Sequence, residues 1–225
     1  MQPTSDPGAP LLVAIVGGSG AGKSWLGDGL QRALAPNAGR LSLDDFYRDR
    51  SHLSPARRAR INFDHPNAID WPAFRRVLRS LRAGRPAKAP LYDFQTHCRL
   101  AGSRTIPPKP IILVDGLWLL RSPEMRHLFA FCIFVQSPAR TRLRRRLCRD
   151  VLTRGRTHAS IAAQFRSTVE PMHLRFVEPQ ASHADIVLPD NLGSHDIKRL
   201  VARLKALLAP GASPGRQADD FIACR

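Results

Sequence analysis

Gly17 to Ser24 reads GGSGAGKS and matches the pattern G-x-x-x-x-G-K-[ST]. In that pattern backbone N–H groups and the first turn of a helix surround phosphate oxygens, and glycines allow the tight approach. Gly17, Gly18, Ser19, Gly20, Ala21 and Gly22 would form the cradle, Lys23 would reach the terminal phosphates, and Ser24 would ligate magnesium. A chance match in a chain of this length has a probability of roughly 1% at average residue usage. The segment therefore reads as a triphosphate-binding loop, which leaves open what becomes of the phosphate. A guanine-reading N-K-x-D is absent from the sequence. Transfer to an alcohol needs carboxylates, one to hold the ion and one to take the proton. Two segments offer them: LSLDDFY, with Asp44 and Asp45, and IILVDG, with Asp115 after four apolar residues. An Asp pair also caps turns, and apolar strands often end in Asp, so neither segment is decisive alone.

These groups need a scaffold that brings them together. Leu11 to Val16 is a continuous apolar run of strand length, and Ser24 to Ala35 after the glycine-rich segment has a helical pattern. Further strands are expected at Arg40–Leu43, Ile111–Val114, Phe131–Val135 and Asp185–Leu188. Their alternation with helical stretches predicts a parallel sheet covered on both faces. Asp70 to Ala83 places Phe74, Val77, Leu78 and Leu81 at i, i+3, i+4 and i+7, with Asp70 as N-cap, Pro72 in the first turn and Gly84 as the stop. Helices are also expected over Ala139–Val151, Ser160–Phe176 and Ser194–Leu208. In open sheets of this kind ligands collect at the carboxyl ends of the strands, so Asp44, Asp45 and Asp115 should face the phosphate loop.

The chain has 225 residues, 43% hydrophobic and 24% charged, which fits one globular domain and excludes a wholly disordered or fibrous chain. The expected division is a flexible N-terminus over 1–10, one kinase domain over 11–208, and a loose Pro-, Gly- and Ser-rich tail over 209–225. The longest apolar run, Leu128 to Val135, is too short to span a bilayer, and the first ten residues lack the pattern of a secretory signal. A cytoplasmic protein without membrane association is expected. The formal net charge of +17 would attract any polyanion, but 30 of the 35 basic residues are Arg, a bias that a GC-rich coding sequence produces by itself. Cys98, Cys132, Cys148 and Cys224 show no metal-ligand spacing and read as free thiols.

The phosphate loop, SLDDFYRDRSHLS, NFDHPNAID, PLYDFQTHCR, RRLCRDVLTRGR and TVEPMHLRFVEP occur in an order and spacing that resembles uridine kinase, the uridine/cytidine kinase branch of the P-loop kinases, from about Leu11 to Leu208. YDFxxHxR and RDxxxRGR are specific to that branch. The resemblance implies a P-loop NTPase fold, a parallel α/β sheet flanked by helices with a small nucleoside-binding hairpin region and an Arg-rich lid. It implies phosphorylation of uridine, and of cytidine, at the ribose 5′-hydroxyl with Mg2+ and ATP or GTP, in pyrimidine salvage by a homotetramer. Asp44 becomes the general base, close to a magnesium site that includes Ser24 and Asp115, and Asp45 is expected to point to solvent. Tyr47 lines the pocket and Asp64 accepts from the ribose hydroxyls. Tyr92 and Phe94 supply flat surface for a pyrimidine, and His97 bonds its edge. Arg149 and Arg154 clamp phosphate, while Arg146, Arg156 and Gln164 touch the nucleoside. Without the resemblance, Arg142, Arg145, Arg146 and Arg149 read first as the solvated face of a basic helix, and Tyr92 and Phe94 as strand core. The chain departs from the family at Asp115, where Glu is usual, and at 190–193, where an Arg-Gly-Gly-like turn is usual. The rival readings are a P-loop kinase of another small alcohol, such as pantothenate or a sugar phosphate, and, more distantly, a nucleic-acid-binding ATPase. YDFQTH opposes the first rival, and the lack of any nucleic-acid module opposes the second.

Overall fold

The computed structural model describes residues 9–58 and 60–209 and, of Arg154, the backbone alone. The expected tail, apart from its first residue, and most of the expected N-terminal segment lie outside the described residues. In chain order the elements are β1 (Leu11–Gly17), α1 (Lys23–Ala33), β2 (Ala38–Ser42), α2 (Pro55–Arg58) and α3 (Trp71–Arg82). There follow β3 (Ala87–Asp93), β4 (Cys98–Ile106), β5 (Ile111–Gly116), α4 (Pro123–Arg126), β6 (Phe131–Val135), α5 (Ala139–Arg154), α6 (His158–Gln164), α7 (Glu170–Met172), β7 (Ile186–Leu188) and α8 (Ser194–Leu207).

Five strands form one parallel sheet in the order β2-β5-β1-β6-β7. Its central strand is apolar on both faces because both are covered. Leu12, Ala14 and Val16 join the core beneath α3 and the hairpin, whereas Val13 and Ile15 join the core beneath α1 and α8. The register pairs Val16 with Gly116 and Ser42 with Asp115, so the ends of β1, β2 and β5 lie side by side. That edge is where the phosphate loop and both acidic segments begin.

Helix α3 forms as its pattern predicts. Asp70 accepts a hydrogen bond from Ala73 N at 3.1 Å, and Phe74, Val77, Leu78 and Leu81 are all buried. Each such side chain stabilises the fold by about 1.5 to 3 kcal/mol. Strands β3 and β4 form a separate antiparallel hairpin with a register shift at Pro90/Leu91. In its turn Asp93 accepts from Gln95 N at 2.9 Å and Thr96 Oγ1 at 2.7 Å, and His97 adopts a left-handed φ of 57°.

The uniform helix expected over Ser160–Phe176 is corrected. After α6 the chain takes a π-helical turn over Phe165–Val169, the short α7, and a second π-helical turn over His173–Val177. Pro171 lies between the two turns. Proline has no N–H to donate and its ring crowds the carbonyl four residues back, so regular α spacing cannot pass through it unbroken.

Candidate active site

The phosphate loop follows β1 and ends in α1, whose first turn has neither an acidic residue nor a capping side chain. The positive end of the helix dipole is therefore presented to whatever lies in the loop. Gly20 and Gly22 take left-handed φ angles of 83° and 107°, and a Cβ at Gly20 would lie 2.6 Å from the Arg142 carbonyl oxygen. Only glycine fits there. The Lys23 ammonium donates to the carbonyls of Gly17 at 2.9 Å and Gly18 at 3.0 Å. Burial lowers its pKa, Asp44 and Asp115 oppose that shift, and Arg149 and Arg142 add to it.

The acids sit on the neighbouring strand ends. After β2 a 3₁₀ turn, Leu43–Phe46, is capped by Ser42, whose Oγ accepts from Asp44 N at 3.3 Å. Leu43 and Phe46 are buried, and the two aspartates between them have different partners. Asp44 lines the cavity beside the phosphate loop. Asp45 is not directed to solvent as expected: it pairs with Arg104 of β4 at 3.0 Å, with 23% of its side chain exposed. Burial raises its carboxyl pKa and Arg104 opposes the rise. Asp115 is buried at the end of β5, where Arg40 donates to Oδ1 at 2.5 Å and Ser42 Oγ to Oδ2 at 3.4 Å.

Over these strand ends lies one cavity of about 1040 Å³, lined by Ser19, Gly20, Gly22, Lys23, Ser24, Asp44, Tyr47, Asp64, Tyr92, Phe94, His97, Asp115, Arg146, Arg149, Arg156 and Gln164, among others. Gly17 and Gly18 lie behind the loop, and Ala21 opens onto a smaller cavity of about 270 Å³ with Trp25, Arg145, Asp190 and Leu192. The side chain of Arg154 lies outside the described residues. At one end of the large cavity Tyr92 meets Tyr47 and Phe94, both at 5.2 Å between ring centroids. Phe63 stacks on His97 at 4.2 Å and 11°. The Tyr92 hydroxyl is buried with no hydrogen-bond partner among the described residues, and burial raises its pKa. Such a group costs stability unless something polar meets it, which makes this end a binding surface rather than plain strand core.

The basic helix face is not simply solvated. Arg142 and Arg146 are 1% and 4% exposed. Arg142 pairs with Glu170 at 2.5 Å and donates to the Ser137 carbonyl at 3.0 Å. Arg146 donates to Ser19 Oγ at 2.7 Å and to Gln164 Oε1 at 3.1 Å, joining the phosphate loop to α6. Arg156 donates to the same Gln164 oxygen and to Ser160 Oγ. Arg145 donates to the carbonyls of Ala21 at 3.0 Å and Asp190 at 2.9 Å. Arg149, with 42% of its side chain exposed, pairs with Asp150 and faces the cavity.

Four participants were not singled out from the sequence for this site: Phe63, Trp25, Arg40 and His173. Phe63 stood beside Asp64 in the NFDHP segment, and Trp25 follows the loop serine directly. His173 lies against the loop, its Nδ1 2.8 Å from where a Gly18 Cβ would stand. Burial, Arg142 and Lys23 lower its pKa to about 4, so the imidazole is neutral near pH 7.

The family model described as "Phosphoribulokinase / Uridine kinase family" matches residues 12–197. The chain belongs to the phosphoribulokinase/uridine kinase family. A uridine kinase of Shewanella amazonensis is 38% identical over 207 residues, covering 88% of this chain and 97% of that protein. A uridine kinase of Chloroflexus aurantiacus is 39% identical over 202 residues, with 88% and 96% covered. The fold is also that of phosphoribulokinase from Rhodobacter spheroides, with a TM-score of 0.61 at 18% identity over 82% of this chain and 71% of the other. Membership makes the chain a P-loop kinase, and its cavity is the place to seek donor and acceptor. The donor set fits the expected ion: Ser24, Asp44 and Asp115 offer oxygen, as a hard divalent cation requires. The glycine cradle and Lys23 fit a triphosphate.

Proposed function

We propose that this kinase transfers the γ-phosphoryl group of ATP or GTP to the ribose 5′-hydroxyl of uridine, and of cytidine, giving UMP or CMP in pyrimidine salvage. The observation that carries this reading is the aromatic end of the cavity. Tyr47, Tyr92 and Phe94 make an apolar slot of ring size, with His97 and Asp64 on the same cavity wall. A pyrimidine stacks there, His97 hydrogen-bonds its polar edge, and Asp64 accepts from the ribose hydroxyls. This orientation directs the 5′-hydroxyl toward Asp44, which orients it and accepts its proton as the phosphoryl group arrives. Lys23 and Arg149 offset negative charge on the transferred group, and Arg154 is assigned the same task by resemblance. Arg146, Arg156 and Gln164 hold one another at the rim and touch the nucleoside from that side.

Ser24, Asp44 and Asp115 would hold magnesium, which supplies charge neutralisation between the donor phosphates. The smaller cavity beside Trp25 receives the donor base. Its Asp190 carboxylate is engaged by Ser137 Oγ at 2.7 Å and by Arg145 at 3.4 Å, so stacking outweighs edge recognition there and both purine triphosphates are accepted. The reading places the enzyme in the cytoplasm as a homotetramer, a state that light scattering checks. No helix among the described residues is long and apolar enough to cross a membrane.

A phosphoryl-transfer assay across uridine, cytidine, purine nucleosides, pantothenate and sugar phosphates, each with ATP and GTP, tests the proposal. Uridine and cytidine should be the preferred acceptors. Transfer to pantothenate or a sugar phosphate and to no nucleoside would refute it.

A further inference from the structure

Arg40 ends in the middle of the acidic edge of the sheet. It enters from β2 against α1, where a Cβ on Gly27 would stand 2.8 Å from its guanidinium carbon. Its NH2 donates to Asp115 Oδ1 at 2.5 Å, and its NH1 donates to the Ser24 carbonyl at 3.2 Å and to the Asp28 carboxylate. One guanidinium thus ties together two members of the expected cation site. Only 17% of the Arg40 side chain and 7% of the Asp115 side chain are exposed, so solvent screens the pair weakly. At the cavity floor two cations, Lys23 and Arg40, stand against two carboxylates, Asp44 and Asp115. Asp45 is paired with Arg104, and Asp28, half exposed, lies on the far side of Arg40. Among the described residues, moreover, no three His, Cys, Asp or Glu side chains come together as a ready metal cluster.

We propose that Arg40 is a positioning residue that keeps the nucleotide-free enzyme from binding a divalent cation, so that the cation enters only with the triphosphate. Arg40 does this by occupying Asp115 and by holding the local charge near neutral. A divalent ion arriving alone finds no net negative field and would have to displace a guanidinium from a buried carboxylate. The triphosphate brings its own negative charge and its own oxygen ligands, and with it the ion no longer depends on Asp115 for direct coordination. Asp115 then acts through water or through charge alone. The inference rests on the P-loop kinase reading of the cavity, but it does not depend on which alcohol accepts the phosphate.

The test is titration of nucleotide-free protein with Mn2+, followed by the electron paramagnetic resonance signal of the free ion. Wild type should bind only in the millimolar range. Arg40→Met removes the charge at similar length and should bind at least about tenfold more tightly, as expected when one charge is withdrawn from a weakly screened site. Arg40→Gln keeps an amide donor for Asp115 and should show the same gain, which covers the case in which the Met variant fails to fold. Arg40→Lys should return toward wild type, and Arg40→Met with Asp115→Asn should lose what Arg40→Met gained. Asp28→Asn leaves the Arg40–Asp115 pair in place and should behave as wild type. Micromolar Mn2+ binding by the wild type without nucleotide would overturn the proposal, as would folded Met and Gln variants that bind no more tightly than wild type. Failure of the uridine assay alone would change the acceptor and leave these titrations unaffected.

Discussion

Asp44 and Asp45 are adjacent, chemically identical and placed in different surroundings, so converting each to Asn separates proton acceptance from ion pairing. Asp44 lines the cavity and acts electrostatically on Lys23, whereas Asp45 pairs with Arg104 on the hairpin. A general base contributes a factor of about 10² to 10⁴, or roughly 3 to 5 kcal/mol of transition-state stabilisation. Asp44→Asn should therefore lower the rate of phosphoryl transfer at least about a hundredfold. Asp45→Asn loses a pair whose Arg104 side chain is 47% exposed. Such a pair is worth about 0 to 1 kcal/mol, which would be read as a small fall in melting temperature and a change in rate of less than about fivefold. The assay is single-turnover transfer to uridine at saturating donor, with thermal melts to show that both variants fold. Asp44→Asn has a second expected effect. It removes a charge that holds the Lys23 ammonium up against burial, so the Lys23 pKa falls further and donor affinity should decline at a lower pH than in wild type. If Asp45→Asn lost the hundredfold and Asp44→Asn did not, the assignment of the base would be wrong.

Three further outcomes are expected. Tyr92→Ala and His97→Ala should each cost about 1 to 3 kcal/mol in kcat/KM for uridine while titration with a non-hydrolysable triphosphate stays near wild type; unchanged uridine kinetics in both would return the YDFQTH segment to a structural role. Trp25→Ala should raise the KM for the donor by a factor on the order of ten and leave that for uridine alone, since loss of base stacking costs about 1 to 3 kcal/mol; an unchanged donor KM would remove the base from the smaller cavity. His173 titrates near 4 in the folded protein and near 6.5 unfolded, so the unfolded chain binds the extra proton first and stability is lost as pH falls from 6.5 toward 4. His173→Phe should lose less stability over that interval, by a difference on the order of 1 to 2 kcal/mol in urea midpoints after allowance for partial exposure, and identical pH profiles would show that the imidazole is not held neutral.

What the sequence makes legible is whatever a short window specifies. The phosphate loop is a contiguous pattern, and α3 shows its N-cap, apolar stripe and stop within fifteen residues, from Asp70 to Gly84. The buried strands are apolar runs, and their C-terminal ends place Asp44 and Asp115 on one edge because parallel strands with helical crossovers leave few alternatives. Side-chain partners were not legible. Arg40 and Asp115 are 75 positions apart and Arg104 and Asp45 are 59 apart, and no local pattern selects one arginine among thirty. The same limit hid the burial of Arg142 and Arg146, because helical spacing shows which residues share a face without showing what covers it. The π-helical turns have no compositional signature beyond Pro171, so they read as ordinary helix.

Those π-helical turns limit how this chain can vary by insertion and deletion. A π turn holds one more residue than an α turn, and loss of one residue from Phe165–Val169 would restore α spacing and rotate everything downstream by about 100°. His173 would leave Gly18, and Gln180 would lose its place between the Leu117 carbonyl and the Leu120 N–H, both at 2.8 Å. The stretch from the rim glutamine, Gln164, to Gln180 is therefore a spacer of fixed count. Its residues can be exchanged one for another more readily than any of them can be removed, so homologous chains should align without gaps across it even where their side chains differ.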